Sequence, residues 1–135
     1  MEELNERLKS PIDAVFSKDS SFLVGLVAST IVESDAATFI LILRLEDGLL
    51  LKEFDGPYID SDTKARYVSV ALSNNSQFIA TGDNFGGVRI IDTTTWREVA
   101  FLEFDYIPLN MSFTSDDTGL IVALGDGTYR LLGLP

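Results

Sequence analysis

The stretch that decides the fold covers residues 67–104 and reads YVSVALSNNSQFIATGDNFGGVRIIDTTTWREVAFLEF. It holds four short apolar runs, two of which alternate apolar with other side chains, and clusters of Ser, Asn, Gly and Asp separate them. This pattern is typical of successive antiparallel strands joined by tight turns. The stretch therefore predicts a four-stranded meander, whose open edges and unburied face require something to pack against it.

The pattern of this stretch occurs twice more in the chain. The turn after the first strand of each copy aligns at Ser17, Ser73 and Thr114, which are 56 and 41 residues apart. The apolar strand after each turn aligns in the same order, at residues 22–24, 78–80 and 120–122. Because a four-stranded propeller blade repeats every ~40–45 residues, the copies predict blades, the first with enlarged loops.

The repeats predict an all-β chain of about three four-stranded antiparallel blades, at residues 12–58, 67–104 and 107–135. The third copy ends after its third strand, so the last blade is expected to be incomplete. Residues 1–11 predict a short helix or extension, because Leu4 and Leu8 share a helical face and Pro11 ends the pattern.

The middle copy resembles the WD40-repeat family of β-propellers. Residues 71–82, ALSNNSQFIATG, are similar to the family's "afSpDgkyLasG" segment, and residues 83–92 are similar to "sdDgtVriWD". Ile91 and Asp92 stand at the Trp-Asp pair, and the resemblance extends over about residues 12–134. No copy keeps that tryptophan, and the chain has no histidine for the family's Gly-His dipeptide. The resemblance implies blades without the Asp–His–Ser/Thr–Trp network, so we expect packing to make them rigid.

Three copies are fewer than the ~4–8 blades of a closed propeller. The ring is completed by self-association, by another subunit, or by the rest of a longer chain. Apolar faces of blade size seldom stay exposed, so we expect an assembly, with a symmetric dimer of six blades as the first expectation. A structural role, in which the chain completes a partner's propeller, is the third hypothesis for its function.

The composition excludes several functional classes. A net charge of −11 and a pI near 4.2 disfavour binding to nucleic acid or an anionic membrane. The chain has neither cysteine nor histidine, which excludes disulfides, Cys/His zinc sites and Ser-His or Cys-His nucleophiles. Its N-terminus is too charged for a signal peptide and its apolar runs are too short to span a bilayer, so we predict a soluble cytoplasmic protein.

The alternative function is a metal-dependent enzyme or a Ca²⁺- or Mg²⁺-binding domain that uses Asp60/Asp62 or Asp116/Asp117. Residues 60–63, DSDT, fit the DxDxT pattern of haloacid-dehalogenase-type phosphoryl transferases, but a Gly-Pro-Tyr segment precedes them instead of a buried strand. Adjacent acids at a hairpin tip are more often turn formers. The glycine-rich segment 82–87 lacks the lysine and helix of a phosphate loop and predicts a turn. We expect no cofactor.

The candidate partner-binding residues are aromatic side chains in predicted loops, with one adjacent arginine. Trp, Tyr and Arg are frequent anchors of protein interfaces, although the same side chains also pack at blade edges. The sequence therefore predicts a non-catalytic protein–protein interaction scaffold that binds protein partners, with these candidate contacts: Tyr58, Phe85, Trp96, Arg97 and Tyr106.

Overall fold

A computed structural model describes residues 11–28, 38–54 and 65–134. Every regular element within those residues is a β-strand, and the strands form three antiparallel sheets. The chain divides into two compact units, Met1–Tyr67 and Val68–Pro135. The predicted all-β fold class with three repeated sheets is confirmed. The predicted helix at residues 1–11 lies outside the described residues except for Pro11, which begins a strand.

Unit 1 contains one four-stranded sheet, ordered β1-β2-β3-β4. Its two central strands are the most apolar in sequence, and Leu26, Ile40 and Ile42 are fully buried in them. Strands buried on both faces read as continuous apolar runs, which is why the alternating pattern is weak here. The strands are β1 (Pro11–Phe16), β2 (Phe22–Ala28), β3 (Thr38–Arg44) and β4 (Leu50–Phe54).

Unit 2 contains two sheets, one ordered β5-β6-β7-β8 and one ordered β11-β10-β9. The second has three strands, as the sequence predicts, so β11 is its outer edge. The strands are β5 (Tyr67–Leu72), β6 (Phe78–Asp83), β7 (Gly87–Asp92), β8 (Arg97–Glu103), β9 (Pro108–Phe113), β10 (Gly119–Leu124) and β11 (Tyr129–Gly133).

The two sheets of unit 2 repeat one another in strand register. The β6–β7 ladder runs from the pair Phe78↔Asp92 to the pair Gly82↔Val88. The β10–β11 ladder runs from Gly119↔Gly133 to Ala123↔Tyr129, which are the same positions shifted by 41 residues. Since register decides which side chain points to which face, each position in one sheet has a defined counterpart in the other.

The turn after the first strand of each sheet is built by one set of hydrogen bonds. In the middle sheet the Ser73 hydroxyl donates to the Asn75 side chain at 2.8 Å and accepts from the Phe78 amide at 2.9 Å. The fourth turn residue, Ser76, has a positive φ of 63°. The corresponding bonds and positive φ recur in the other two turns, at Ser17, Asp19, Ser20 and Phe22 and at Thr114, Asp116, Asp117 and Gly119.

One hydrophobic core joins the two sheets of unit 2. The first sheet contributes small and β-branched side chains, and the second contributes larger ones. Gly82 permits the close approach, because a Cβ there would lie 2.8 Å from the Pro108 ring. Ser69 also donates a 2.6 Å hydrogen bond to the Pro108 carbonyl. The buried members are Ala71, Ala80, Val88 and Ile90 against Met111, Phe113, Leu120, Val122 and Leu124.

Candidate functional site

Two of the predicted partner-binding residues, Trp96 and Arg97, lie at the β7–β8 turn. The Trp96 amide donates a 2.7 Å hydrogen bond to the Asp92 carbonyl, and Trp96 has a positive φ of 59°. Arg97 is exposed and begins β8 opposite Asp92. Trp96 is half-buried at this turn.

Phe85 and Tyr106 lie at the opposite end of the same sheet. Phe85 is 49% exposed in the β6–β7 turn, and Tyr106 is 50% exposed between β8 and β9. The Phe104 amide donates to the Gly86 carbonyl at 2.8 Å and ties the two segments together. β7 separates these two residues from the β7–β8 turn, so the structure brings the candidates together as two pairs rather than one cluster. Tyr58 lies outside the described residues.

The glycine-rich segment 82–87 is a turn, as predicted. Gly86 has a φ of +89°, and a Cβ there would collide with the Phe104 carbonyl oxygen. Asp83 organises the turn, because its Oδ1 accepts hydrogen bonds from the amides of Phe85 at 2.8 Å and Gly87 at 2.9 Å. The turn therefore explains why this segment is rich in glycine and contains an aspartate.

A largely buried ion pair adds an electrostatic contact to this turn, beside the packing that the sequence predicts. The Asp83 side chain is 2% exposed, and its Oδ2 accepts a hydrogen bond from Arg89 Nη1 at 2.7 Å. The same guanidinium contacts Glu98 at 3.1 Å and lies 4.6 Å from the centroid of the Phe101 ring. Arg89 thus links three consecutive strands through charge and a cation–π contact. The sequence alone does not pair these residues, because the pairing depends on strand register.

Asp116 acts as a turn former. Its Oδ1 accepts 2.8 Å hydrogen bonds from the Thr118 and Thr114 hydroxyls and a 3.1 Å bond from the Thr118 amide. The Thr118 hydroxyl first, and then the Thr114 hydroxyl, lower the pKa of Asp116 to about 2. Within the described residues, no group of three or more potential metal-ligating side chains is present. Asp60 and Asp62 lie outside the described residues.

Asp117 joins the two sheets of unit 2 at their turns. Its carboxylate accepts hydrogen bonds from the Asn74 amide at 2.8 Å, the Asn74 side chain at 3.0 Å and the Asn75 amide at 2.8 Å. Desolvation raises the pKa of Asp117, but the Asn74 and Asn75 donors together outweigh it, so the net shift is downward. The contact was not predicted from the sequence, although the 41-residue offset places the two turns at equivalent positions.

The outward face of the β9–β11 sheet is uncovered. Ile121, Tyr129 and Leu131 share this face and are 39%, 73% and 70% exposed. Their counterparts in the preceding sheet are Ala80, Val88 and Ile90, all of which are buried in the core of unit 2. Among the described residues, no strand pairs with the outer edge of β11. The sheet therefore combines an exposed apolar face with an open edge.

No protein-family model and no curated protein sequence matches the chain. Among solved structures, the chain is similar to the β-propeller domain of Myceliophteria thermophila Cps50 (Swd1), with a TM-score of 0.71 at 14% identity over 92% of this chain. It is also similar to Kuenenia stuttgartiensis hydrazine synthase, with a TM-score of 0.69 at 12% identity over 93% of this chain. The chain spans 36% and 45% of those two chains. The comparisons support a β-propeller fold.

Proposed function

We propose that this chain is a non-catalytic protein-interaction scaffold whose blades are completed by other protein subunits. One observation carries the proposal: the β9–β11 sheet repeats the β5–β8 sheet in register, yet its outward face is exposed and its outer edge is open. The coverage of 36% of the Cps50 (Swd1) chain supports a partial propeller.

A protein partner is favoured because the β9–β11 sheet has both an exposed apolar face and an open edge strand, β11. An open edge strand offers unpaired backbone groups to another chain, and monomeric proteins usually protect such edges. β11 carries Tyr129 and Leu131 beside its open edge, with Ile121 next to them on β10. Aromatic and aliphatic side chains on a regular sheet suit a partner that also presents a sheet.

We also propose that the blades are degenerate WD40 repeats. The support is the similarity of residues 71–92 to the family segments, together with the placement of Asp83 at the β6–β7 turn. The Asp83–Arg89 pair replaces the missing histidine-dependent network with a direct ion pair across neighbouring strands.

The proposed absence of catalysis rests on what the acidic side chains do. Asp83, Asp116 and Asp117 each accept several hydrogen bonds that hold a turn or join two sheets. A metal ion at Asp116 and Asp117 would have to displace the Thr and Asn donors. We therefore expect the thermal midpoint to stay unchanged at millimolar Mg²⁺ or Ca²⁺, whereas a site selective for the native state would raise it.

The loop aromatics are proposed as additional contacts for partners. Phe85 and Tyr106 are half-exposed at one end of the β5–β8 sheet, and Arg97 is exposed at the other. Trp96 lies in the β7–β8 turn with a positive φ of 59° and is half-buried. Tyr58 remains a prediction.

The test is native purification of the tagged chain from its source cells, with Leu131→Asp and Val99→Asp compared to the unchanged chain. Val99 is 45% exposed at a bulge in β8 and lies opposite no residue of β7, so it is a matched control. We expect a stoichiometric protein complex that Val99→Asp keeps and Leu131→Asp loses. Recovery of the unchanged chain as a folded monomer without any protein partner would contradict the proposal.

A further inference from the structure

The open edge of β11 presents backbone hydrogen-bonding groups at defined positions. The Leu124 amide donates to the Thr128 carbonyl at 2.8 Å, and the Leu134 amide donates to the Thr118 carbonyl at 2.9 Å, one bond at each end of the β10–β11 ladder. Because the direction of the backbone groups alternates along an antiparallel ladder, every second residue of β11 points its N–H and C=O groups away from β10. Those residues are Tyr129, Leu131 and Gly133. Within the part of the chain that the structure describes, no strand pairs with this edge, so it can accept one more strand.

The β5–β8 sheet shows what a fourth strand contributes at the equivalent edge. In that sheet β8 pairs with β7 along residues 87–92, and Arg89 lies opposite Phe101. The Arg89 guanidinium lies 4.6 Å from the centroid of the Phe101 ring, and its Nε lies 3.1 Å from Oε1 of Glu98. β8 therefore brings one carboxylate and one aromatic ring to a single arginine of β7.

Arg130 occupies the position of Arg89 in the β9–β11 sheet, because the two ladders are offset by 41 residues. The buried acid that pairs with Arg89 is Asp83, and the same offset places Leu124 at its position. Arg130 is exposed, and among the described residues its side chain forms no ion pair or hydrogen bond. The β9–β11 sheet therefore keeps the arginine but lacks the acids and the ring that surround it in the other sheet.

An exposed leucine of β8 marks the same gap from the neighbouring sheet. Leu102 pairs with Val88, so both side chains lie on the face of the β5–β8 sheet that packs against the β9–β11 sheet. Val88 is 1% exposed, whereas Leu102 is 45% exposed. The covering sheet ends at β11 within the described residues, so it has no counterpart of β8 to lie next to Leu102. One added strand would extend the covering sheet toward this side chain.

We propose that the open edge of β11 binds an extended strand of a partner protein, and that this strand brings a carboxylate and an aromatic ring to Arg130. The partner strand pairs antiparallel with β11 in the register of β8, so its ring lies opposite Arg130 and its carboxylate opposite Leu132. Its alternate side chains are apolar and lie beside Tyr129 and Leu131. This inference rests on the proposed function and names the chemistry of the segment through which the partner binds.

Asp126 is the acid whose titration responds to the charge of Arg130, and its oxygen is already engaged. The Asp126 Oδ1 accepts hydrogen bonds from the Thr128 hydroxyl at 2.6 Å and the Thr128 amide at 3.0 Å. The Thr128 hydroxyl first, then the Thr128 amide, and to a lesser extent the charge of Arg130 lower the pKa of Asp126. Since Arg130 forms no ion pair with Asp126, its guanidinium is available to a carboxylate of the partner.

The charge of the whole chain limits the composition of the partner strand. A net charge of −11 repels an acidic segment at long range, whereas Arg130 attracts a carboxylate at short range. We therefore expect the partner strand to carry one acid in the register of Glu98, three residues before its aromatic ring, and few other negative charges.

A fluorescein-labelled peptide with the sequence of residues 96–104, WREVAFLEF, is the probe, because β8 holds the required pattern. Fluorescence anisotropy measures its dissociation constant with the full chain. The chain's own β8 stays in place, since its covalent linkage gives it an effective concentration of about millimolar. Methylation of the peptide nitrogen at Leu102, whose counterpart points to β7, should abolish binding. Methylation at Phe101, whose nitrogen points away, is the matched control and should preserve it.

Two variants of the chain make the same charge change at exposed positions. Arg130→Glu should weaken binding of the peptide at least ~10-fold, because an attraction becomes a repulsion. Lys18→Glu, in the β1–β2 turn, should change the dissociation constant by less than about twofold, since distant exposed charges are screened. A peptide carrying Glu98→Lys should bind Arg130→Glu more tightly than the original peptide does. A general loss of stability would not produce this exchange of preference.

Three results would overturn the inference: no binding of the peptide at its highest soluble concentration, equal binding of the two methylated peptides, or equal affinity of Arg130→Glu and Lys18→Glu. If native purification still yields a protein complex in any of these cases, the proposed function stands and strand addition at β11 is excluded. A chain that binds the peptide through Arg130 but is purified natively without any protein partner contradicts the proposed function and supports the strand-binding edge.

Discussion

The hydrogen bonds to Asp117 give the sharpest prediction, because a single carboxylate joins two sheets of unit 2. Asp117→Asn keeps a side chain that tolerates the positive φ of 59° but removes the charge and one acceptor oxygen. Three donors reach this carboxylate, two from Asn74 and one from Asn75. At least one of them must lose its acceptor in the variant.

The expected cost is about 1 kcal/mol at pH 7, below the ~1.5–3 kcal/mol that is usual for a hydrogen bond to a charged group, since the turn is partly open to water. Urea unfolding measures this loss of free energy of unfolding. The signal is the fluorescence of Trp96, which is the chain's single tryptophan and lies in unit 2. The protein is kept dilute so that association does not contribute to the measured stability.

The pH dependence provides a second readout of the same contact. The folded-state pKa of Asp117 is lowered, so its stabilisation is fully present above the unfolded value of ~3.9 and is lost as the pH falls through the folded-state value. The stability difference between the unchanged chain and Asp117→Asn should therefore shrink below about pH 4.

A double-mutant cycle with Asn74→Ala isolates the side-chain contact between the two turns. We expect a coupling energy of roughly 0.5–1 kcal/mol between Asp117 and Asn74. Equal stability of the Asp117→Asn variant and the unchanged chain at pH 7, or strictly additive single variants, would refute the role of this carboxylate in joining the sheets.

Three further changes test other parts of the structure. Asp116→Asn should leave stability at pH 7 nearly unchanged, since Asn75 holds the equivalent turn, and should reduce the loss of stability as the pH falls from ~4 to ~2. Thr81→Val should stabilise unit 2 by about 1 kcal/mol in urea unfolding, because the buried Thr81 hydroxyl has no partner among the described residues and Val122 occupies the equivalent position. Gly86→Ala should cost more than ~2 kcal/mol by the same assay, owing to its positive φ and a collision with backbone.

Strands and their order could be predicted from the sequence because local patterns determine them. The Ser17, Ser73 and Thr114 alignment identifies three turns that share one hydrogen-bond pattern, since a hydroxyl and an Asp or Asn two residues later suffice to build each turn.

Contacts between distant residues could not be predicted in the same way. The Asp83–Arg89 pair requires the register of β6 and β7, and the Asp117–Asn74 contact joins residues that are 43 positions apart. The exposed outward face of the β9–β11 sheet is recognised only by comparing the two sheets, because Ile121 and Leu131 appear as ordinary core residues in the sequence. Their exposure becomes informative once Ala80 and Ile90 are seen to be buried at the equivalent positions.

Hydroxyl-radical footprinting of β11 tests whether the outward face of the β9–β11 sheet is covered by protein in the assembly. The oxidation rates of Tyr129 and Leu131 are compared between the native assembly and the chain diluted until it is monomeric. Val99, the control position in β8, is 45% exposed and is the internal reference. Both β11 side chains should be protected from oxidation in the assembly. Equal oxidation of β11 in the two states would contradict it.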